Sequence, residues 1–422
     1  MKAELGKIGR FSGTWVWLTA LVCLVAAGGM WDQQSLAPHY VLLAEAFLEG
    51  RLALSAESGL YDLLVTERGS FVAGSPLPAV LLMPLVAWGG REFSDVLFSI
   101  GVAALAAGVT QALFRRRLLT LFFAFGSPML IFAALGSYWY QAHLVAVLFA
   151  LLALLAGWRG GRWGVAGGAL ALATLARPTL FFAVPGFALL LWQAGAGKGR
   201  EETVGRLLLF VAPLVLAVGV HMAYNTARFG SSADFGYGYV QGAPNITAAY
   251  ARYGGFHPHF AGCNLFVSLL NPPEINGRVP SLLYRTCDHL LEGVDLVTGR
   301  GWITPNPLGM SIFLTMPALV LIFAAGWHAP EVRAAWVGLL GVMVPLWLYH
   351  NTGSVQFGYR YLFDAAPFWL LLCGVGLGRV QRRRLVAGLV VVSVGMTLWG
   401  GWWLYGLFVG QSWWEVLLNG RG

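Results

Sequence analysis

The chain has 422 residues, of which 58% are hydrophobic and only 11% charged, with a formal net charge of +8. That balance excludes an ordinary soluble domain, and four cysteines are too few for a disulfide-built scaffold. The charges cluster in short gaps between apolar blocks of roughly membrane-spanning length, so the positive balance reflects membrane topology and carries no nucleic-acid footprint.

Lys2, Lys7 and Arg10 precede the first apolar block, and further blocks follow, so it reads as a span rather than a cleaved signal. With the amino terminus inside, Arg115-Arg116-Arg117, Arg159/Arg162, Lys198/Arg200/Arg206, Arg333 and Arg379/Arg382-Arg383-Arg384 all fall on the cytoplasmic side. That side carries sixteen basic and four acidic residues, against eleven and fifteen elsewhere. The expected fold is an all-α polytopic membrane protein of about eleven spans, at 13–30, 94–114, 119–135, 143–157, 163–176, 178–193, 207–224, 307–326, 334–350, 365–379 and 385–405. Residues 1–422 read as one integral membrane domain of the inner (plasma) membrane, with a cytoplasmic amino terminus and an external carboxyl terminus. Segments 31–93 and 225–306 become extracytoplasmic loops carrying short juxtamembrane helices. Pro76–Gly90 is expected at the outer interface, and Pro178 is expected to break a helix with Arg177 at the tip.

Candidate chemistry gathers at the outer face, where a charge near hydrocarbon needs a partner or a function. In the first loop Asp32 lies just beyond the first span, at the depth of a general base, and His39 is a second titratable choice. Glu45 and Glu49, one turn apart, read as a solvated face. Tyr40, Tyr138, Tyr140, Gln141 and His143 offer aromatic and hydrogen-bonding groups suited to a sugar, although an aromatic belt also explains Trp139. Arg177, amid nearly uncharged residues, reads either as an anion site or as an arginine held at a helix end. Arg360, with Tyr359 and Tyr361, is a second phosphate or sugar candidate, while Arg360 and Asp364 at i,i+4 also fit a structural ion pair. Cys263 and Cys287 share the outer loop, where a bridge and two unrelated thiols fit the sequence equally. Cys23 and Cys373 read as small buried apolar residues. His257-Pro-His259 is read as loop surface: cysteines are not close by and acids such as Asp234 are distant in sequence. No metal-ligand set is therefore assigned, and nucleotide-loop, zinc-protease and nucleophile-elbow motifs do not occur.

Five stretches resemble the GT-C superfamily of polyprenyl-phosphate-dependent glycosyltransferases. They are Pro38-His-Tyr-Val-Leu-Leu-Ala-Glu-Ala-Phe-Leu-Glu-Gly-Arg51-Leu, Ser75-Pro-Leu-Pro-Ala-Val-Leu-Leu-Met-Pro84, Leu175-Ala-Arg-Pro178, Tyr224-Asn-Thr-Ala-Arg-Phe-Gly230 and Asn306-Pro-Leu-Gly309. The resemblance implies an inverting transfer of sugar from a polyprenyl-phosphate donor, entering from the membrane lipid, to a glycan, lipid or protein acceptor outside. It implies Arg177 as a phosphate ligand. Arg360 is added on chemistry alone. Where family members carry their catalytic acid, this chain has Leu36 and Ala37, so Asp32, with His39 second, is expected to replace it. The reading requires no resident cofactor and keeps a divalent cation open. The competing classes are a lipid-linked-glycan flippase or assembly protein, which would need a through-going polar path, and an acyl or lipid-phosphate transferase with an inward His/Asp pair.

Overall fold

The computed structural model describes residues 13–409 except 56–59, 61, 197–198, 241–243, 279, 292–301 and 354. The basic residues Lys2, Lys7, Arg10 and Lys198 and the carboxyl-terminal end, on which part of the topology reading rests, lie outside the described residues.

Helix α1 (Gly13–Ala27) leads through a single 3₁₀ turn into the first long inter-helix segment. That segment holds α2 (His39–Leu48), the antiparallel hairpin β1 (Leu63–Thr66) and β2 (Gly69–Val72), and α3 (Leu77–Gly89). The hairpin is a departure from the all-helical expectation; Leu63, Leu64, Phe71 and Val72 bury there beneath the loop. Pro76–Gly90 is helical as expected: α3 packs along α2 and leaves Trp88 86% exposed.

The bundle continues with α4 (Asp95–Phe114), α5 (Arg117–Phe125), α6 (Met129–Leu135), α7 (Tyr138–Leu154), α8 (Trp163–Ala176), α9 (Val184–Ala194) and α10 (Arg200–Phe229). The second long inter-helix segment carries α11 (Pro244–Tyr253), α12 (Ala261–Leu269), the short pairing of β3 (Glu274–Ile275) with β4 (Ile303–Thr304), α13 (Ser281–Thr286) and α14 (Asp288–Leu291). The chain re-enters through α15 (Ile312–Thr315), α16 (Leu321–Ala324), α17 (Pro330–Trp347), α18 (Ala366–Arg379) and α19 (Arg383–Val409).

Among the described residues, six helices are long and apolar enough to cross a membrane: Gly13–Met30, Asp95–Phe114, Tyr138–Arg159, Arg200–Phe229, Arg360–Arg379 and Arg383–Phe408. A seventh forms if Arg117–Phe125 and Met129–Leu135, bent by 44° at their junction, count as one span. Eleven uninterrupted spans are therefore not reproduced. Pro178 starts a 3₁₀ segment that divides 163–193, as expected from the sequence, and non-helical Met316 followed by Pro317 breaks 307–326. Helix α17 opens on a polar turn containing Glu331 and Arg333.

Small residues set the close approaches that replace hydrophobic driving force within lipid. A Cβ on Gly167 of α8 would lie 2.1 Å from the Phe210 carbonyl oxygen of α10. At Gly136, with φ 64° after α6, an added Cβ would lie 2.7 Å from Val96 Cα. Cys263 and Cys287 form a disulfide with Cα atoms 4.9 Å apart, while Cys23 and Cys373 are free and buried.

Candidate functional site

One end of the bundle is assembled from chain segments far apart in sequence. The Ser35 amide and hydroxyl both donate to the buried Asp95 carboxylate at the start of α4, at 2.6 Å each. The Tyr138 amide donates to the Ala37 carbonyl, and the Gln141 side chain donates to the Asp95 carbonyl at 3.1 Å. These bonds bring the starts of α2, α4 and α7 together.

Asp364 is the hub of this end. It is fully buried in the 3₁₀ segment Arg360–Ala365 that leads into α18. Its Oδ1 lies 2.5 Å from His143 Nδ1, and its Oδ2 accepts from Arg177 Nε (3.1 Å), Arg177 Nη2 (2.9 Å) and Thr179 Oγ1 (2.7 Å). The local cause is Pro178. A residue before proline avoids the helical region, and Arg177 is extended at φ −142° and ψ 107°, ending α8. The chain turns there and sets Arg177 and Thr179 against the same carboxylate. The i,i+4 pairing of Arg360 with Asp364 that the sequence admitted does not form, because Arg177, His143 and Thr179 take both carboxylate oxygens.

That leaves Arg360 apart from any acid among the described residues. Its Cζ lies 5.4 Å from the Tyr361 ring centroid, and Arg177 Cζ lies 5.6 Å from the same ring. Arg360 Nε is buried without a hydrogen bond, and no carboxylate pairs with Arg360 among the described residues. Arg177 keeps 19% of its side chain exposed although two of its nitrogens donate to Asp364 Oδ2. Tyr349 packs edge-on against Tyr361 at 5.9 Å and against Tyr237 at 5.9 Å. Arg177 is within electrostatic range of Tyr40, Tyr237 and Tyr361. Two guanidinium groups and a ring of tyrosines thus share one site, which suits an anion joined to a hydroxyl-rich group. Beside it His350 is held neutral, since burial pushes its imidazole down to about 4.

Sequence reasoning missed Asp62. Its backbone is left-handed at φ 58°, and its carboxylate accepts from Trp139 Nε1 at 2.9 Å and faces the Tyr138 hydroxyl at 3.5 Å. Asp62 and Arg360 both lie within electrostatic range of that hydroxyl. An Asp in a loop carries no distinguishing sequence signal; only the hairpin that follows and the packed start of α7 place it there. Arg228 was also passed over. It is buried, stacks 3.8 Å from the Tyr224 ring, donates to Asn225 Oδ1 and to the Val72 carbonyl, and so ties α10 to the hairpin.

Several expected site residues stand elsewhere. Asp32 is exposed on the turn after α1 and takes part in no hydrogen bond or ion pair among the described residues. His39 is buried and stacked on Tyr138 at 4.1 Å. Tyr140 is buried against Phe132 at 4.8 Å, and Gln141 and His143 are spent inside the bundle on Asp95 and Asp364. The Tyr359 hydroxyl lies 3.0 Å from Asn264 Oδ1 and 3.2 Å from the Leu346 carbonyl. Tyr40 and Tyr138 are buried beneath the site, and Tyr361 forms its floor.

Fold and site together define a multi-pass helical membrane protein whose buried acidic, histidine and arginine side chains collect at one end. No family model matches the chain, and no curated protein matches it. Among solved structures it is similar to two crystal structures of ArnT from Cupriavidus metallidurans, both 14% identical to it. The one bound to undecaprenyl phosphate has a TM-score of 0.47, and the apo state 0.44. Each match covers 88% of this chain and 61% of the other, so this chain spans less than two thirds of ArnT's length.

Proposed function

We propose that the protein is a membrane glycosyltransferase that moves a sugar from a polyprenyl-phosphate donor to an acceptor hydroxyl on the extracytoplasmic face of the inner membrane. The observation that carries the reading is the pair Arg177 and Arg360 on the Tyr361 ring, with Arg360 lacking a carboxylate partner among the described residues. An unneutralised guanidinium at a membrane-facing end is costly unless it meets an anion, and planar guanidinium groups suit phosphate oxygens. The one-ended distribution of Asp95, His143, His221, Arg228 and Asp364 supports a site rather than a through-going path.

In the proposed reaction a base removes the acceptor proton as the acceptor oxygen attacks the anomeric carbon. The bond from that carbon to the phosphate oxygen breaks with inversion, and the electron pair leaves on the polyprenyl phosphate, stabilised by Arg360 and Arg177. We assign Asp62 as the base in place of Asp32. It is half-buried beside Tyr138, whose hydroxyl Arg360 also influences electrostatically, and its left-handed backbone is the kind of conformation that functional sites hold. Tyr237, Tyr349 and Tyr361 offer faces and hydroxyls to the sugar. Asp364 and His143 act as positioning residues that hold Arg177.

Membrane vesicles containing the protein, supplied with a panel of radiolabelled polyprenyl-phosphate sugars, test the reading. Transfer is expected from one donor class, with Asp62→Asn lowering it by about two to four orders of magnitude and Asp32→Asn leaving it within a few-fold of wild type. The reverse ranking would return the base to Asp32. Undiminished transfer in an Arg177→Gln, Arg360→Gln double variant would sink the phosphate assignment.

A further inference from the structure

The cap over the second long inter-helix segment contains a cluster that the candidate site does not use. The disulfide joins Cys263 in α12 to Cys287, immediately before α14. It thereby sets Asp288 and His289 beside His259, which the sequence places 29 and 30 residues away. One ligand atom from each of His259, Asp288 and His289 lies within 4.8 Å of the others. The His289 Nδ1 atom is already 3.6 Å from Asp288 Oδ1.

We propose that His259, Asp288 and His289 form a binding site for a zinc-type divalent transition-metal ion. Two imidazoles and one carboxylate are the donor set of borderline metals; magnesium and calcium prefer all-oxygen shells. Metal bonds of about 2.0–2.2 Å place tetrahedral ligand atoms roughly 3.4 Å apart, so closing the set draws the side chains in by about an ångström. The surroundings allow that movement where it is needed and restrict it elsewhere. Asp288 is 67% exposed, with Oδ1 accepting from the His289 amide at 2.7 Å, whereas His289 is 5% exposed and is fixed against Phe260 at 5.0 Å. The Tyr253 ring stacks on His259 at 4.3 Å and orients that imidazole. Three protein ligands leave an open position for water, reached through exposed His259 and Asp288. The ion would then be a second fastening across the disulfide-bonded cap, next to His350 and Tyr349 at the edge of the candidate site.

The full chain, purified through a tag without histidines and stripped with chelator, is titrated with Zn²⁺ by calorimetry. One equivalent is expected to bind, with affinity reduced at least about tenfold in each of His259→Gln and Asp288→Asn, both exposed positions away from the bundle core. The melting temperature of the wild type is expected to rise with Zn²⁺ and that of the variants to stay flat. Absence of binding, or equal binding in the wild type and both variants, overturns the site. Should a variant misfold, the visible spectrum of the Co²⁺-loaded wild type decides: intense four-coordinate bands support the site, and the weak bands of hydrated Co²⁺ alone refute it.

Discussion

Arg177 and Arg360 look alike in the sequence, and their surroundings separate them. Arg177 is locked to Asp364 through two donors, and Arg360 has the Tyr361 face and no acid among the described residues. Removing Arg177 leaves a buried carboxylate with reduced compensation, a loss that costs about 3–5 kcal/mol for buried pairs. Arg177→Gln is therefore expected to lower both stability and lipid binding. Arg360→Gln is expected to keep the melting temperature and weaken polyprenyl-phosphate binding by roughly 10- to 100-fold, the scale of a charged hydrogen bond. Binding isotherms and melts on the same preparations check the split, and an unstable Arg360→Gln with normal affinity would reverse the two roles. Glu274 gives a pH test outside the spans. It is buried, neither carboxylate oxygen has a hydrogen bond among the described residues, and burial pushes it up to about 7. Folding thus favours its protonated form: that stability is fully present below the ordinary carboxylate range and is lost as pH rises through about 7. Between about pH 5 and 8 the wild type is expected to lose melting temperature that Glu274→Gln retains; parallel curves would mean the carboxylate is relieved in another way.

At the scale of elements, the cap formed by 244–291 is held by covalent and packing links of different strength. The Cys263–Cys287 bridge spans a separation of 24 residues, and native bridges of this kind contribute about 2–4 kcal/mol. A Cys263→Ser, Cys287→Ser variant is expected to melt earlier and to lose trypsin resistance first in 244–291, read by mass spectrometry of the limited digest. Cleavage beginning instead within 31–93 would show that the hairpin segment depends on the bridge. The contrast with α8 is instructive. Its end at Arg177 follows from the proline and from sterics within two residues, so it was legible in the sequence. The break at Met316 and Pro317 was not, because the surrounding residues are apolar enough to mimic a continuous span.

For the molecule as a whole, helix directions reproduce the charge asymmetry. The starts of α4 and α7 and the ends of α8 and α10 meet at the Asp364 end, while Arg115, Arg159 and Arg379 terminate helices at the other. Single cysteines at Ser70 and Arg117 are expected to label from opposite sides of sealed vesicles, with Ser70 outside. Labelling of both from one side would overturn this topology, and labelling of Ser70 from inside would move the candidate site to the cytoplasm and remove the extracytoplasmic acceptor.

Composition and spacing by themselves determined the membrane-embedded helical class, the helix break at Arg177-Pro178 and the gathering of candidate chemistry at one face. These follow from local sterics and from the cost of placing charge in hydrocarbon, both of which act over a few residues. Tertiary structure alone decided the partners. It joined Asp364 to Arg177 and His143 across 187 and 221 positions, left Arg360 without an acid among the described residues, brought Asp62 over Tyr138 and set His259 beside His289. A carboxylate pairs with whichever cation the packing brings near, and sequence spacing encodes that neighbour only within a helix turn. Asp364 and Arg360, four residues apart, show the limit: the intervening 3₁₀ turn directs one side chain into the bundle and leaves the other half-buried at its end.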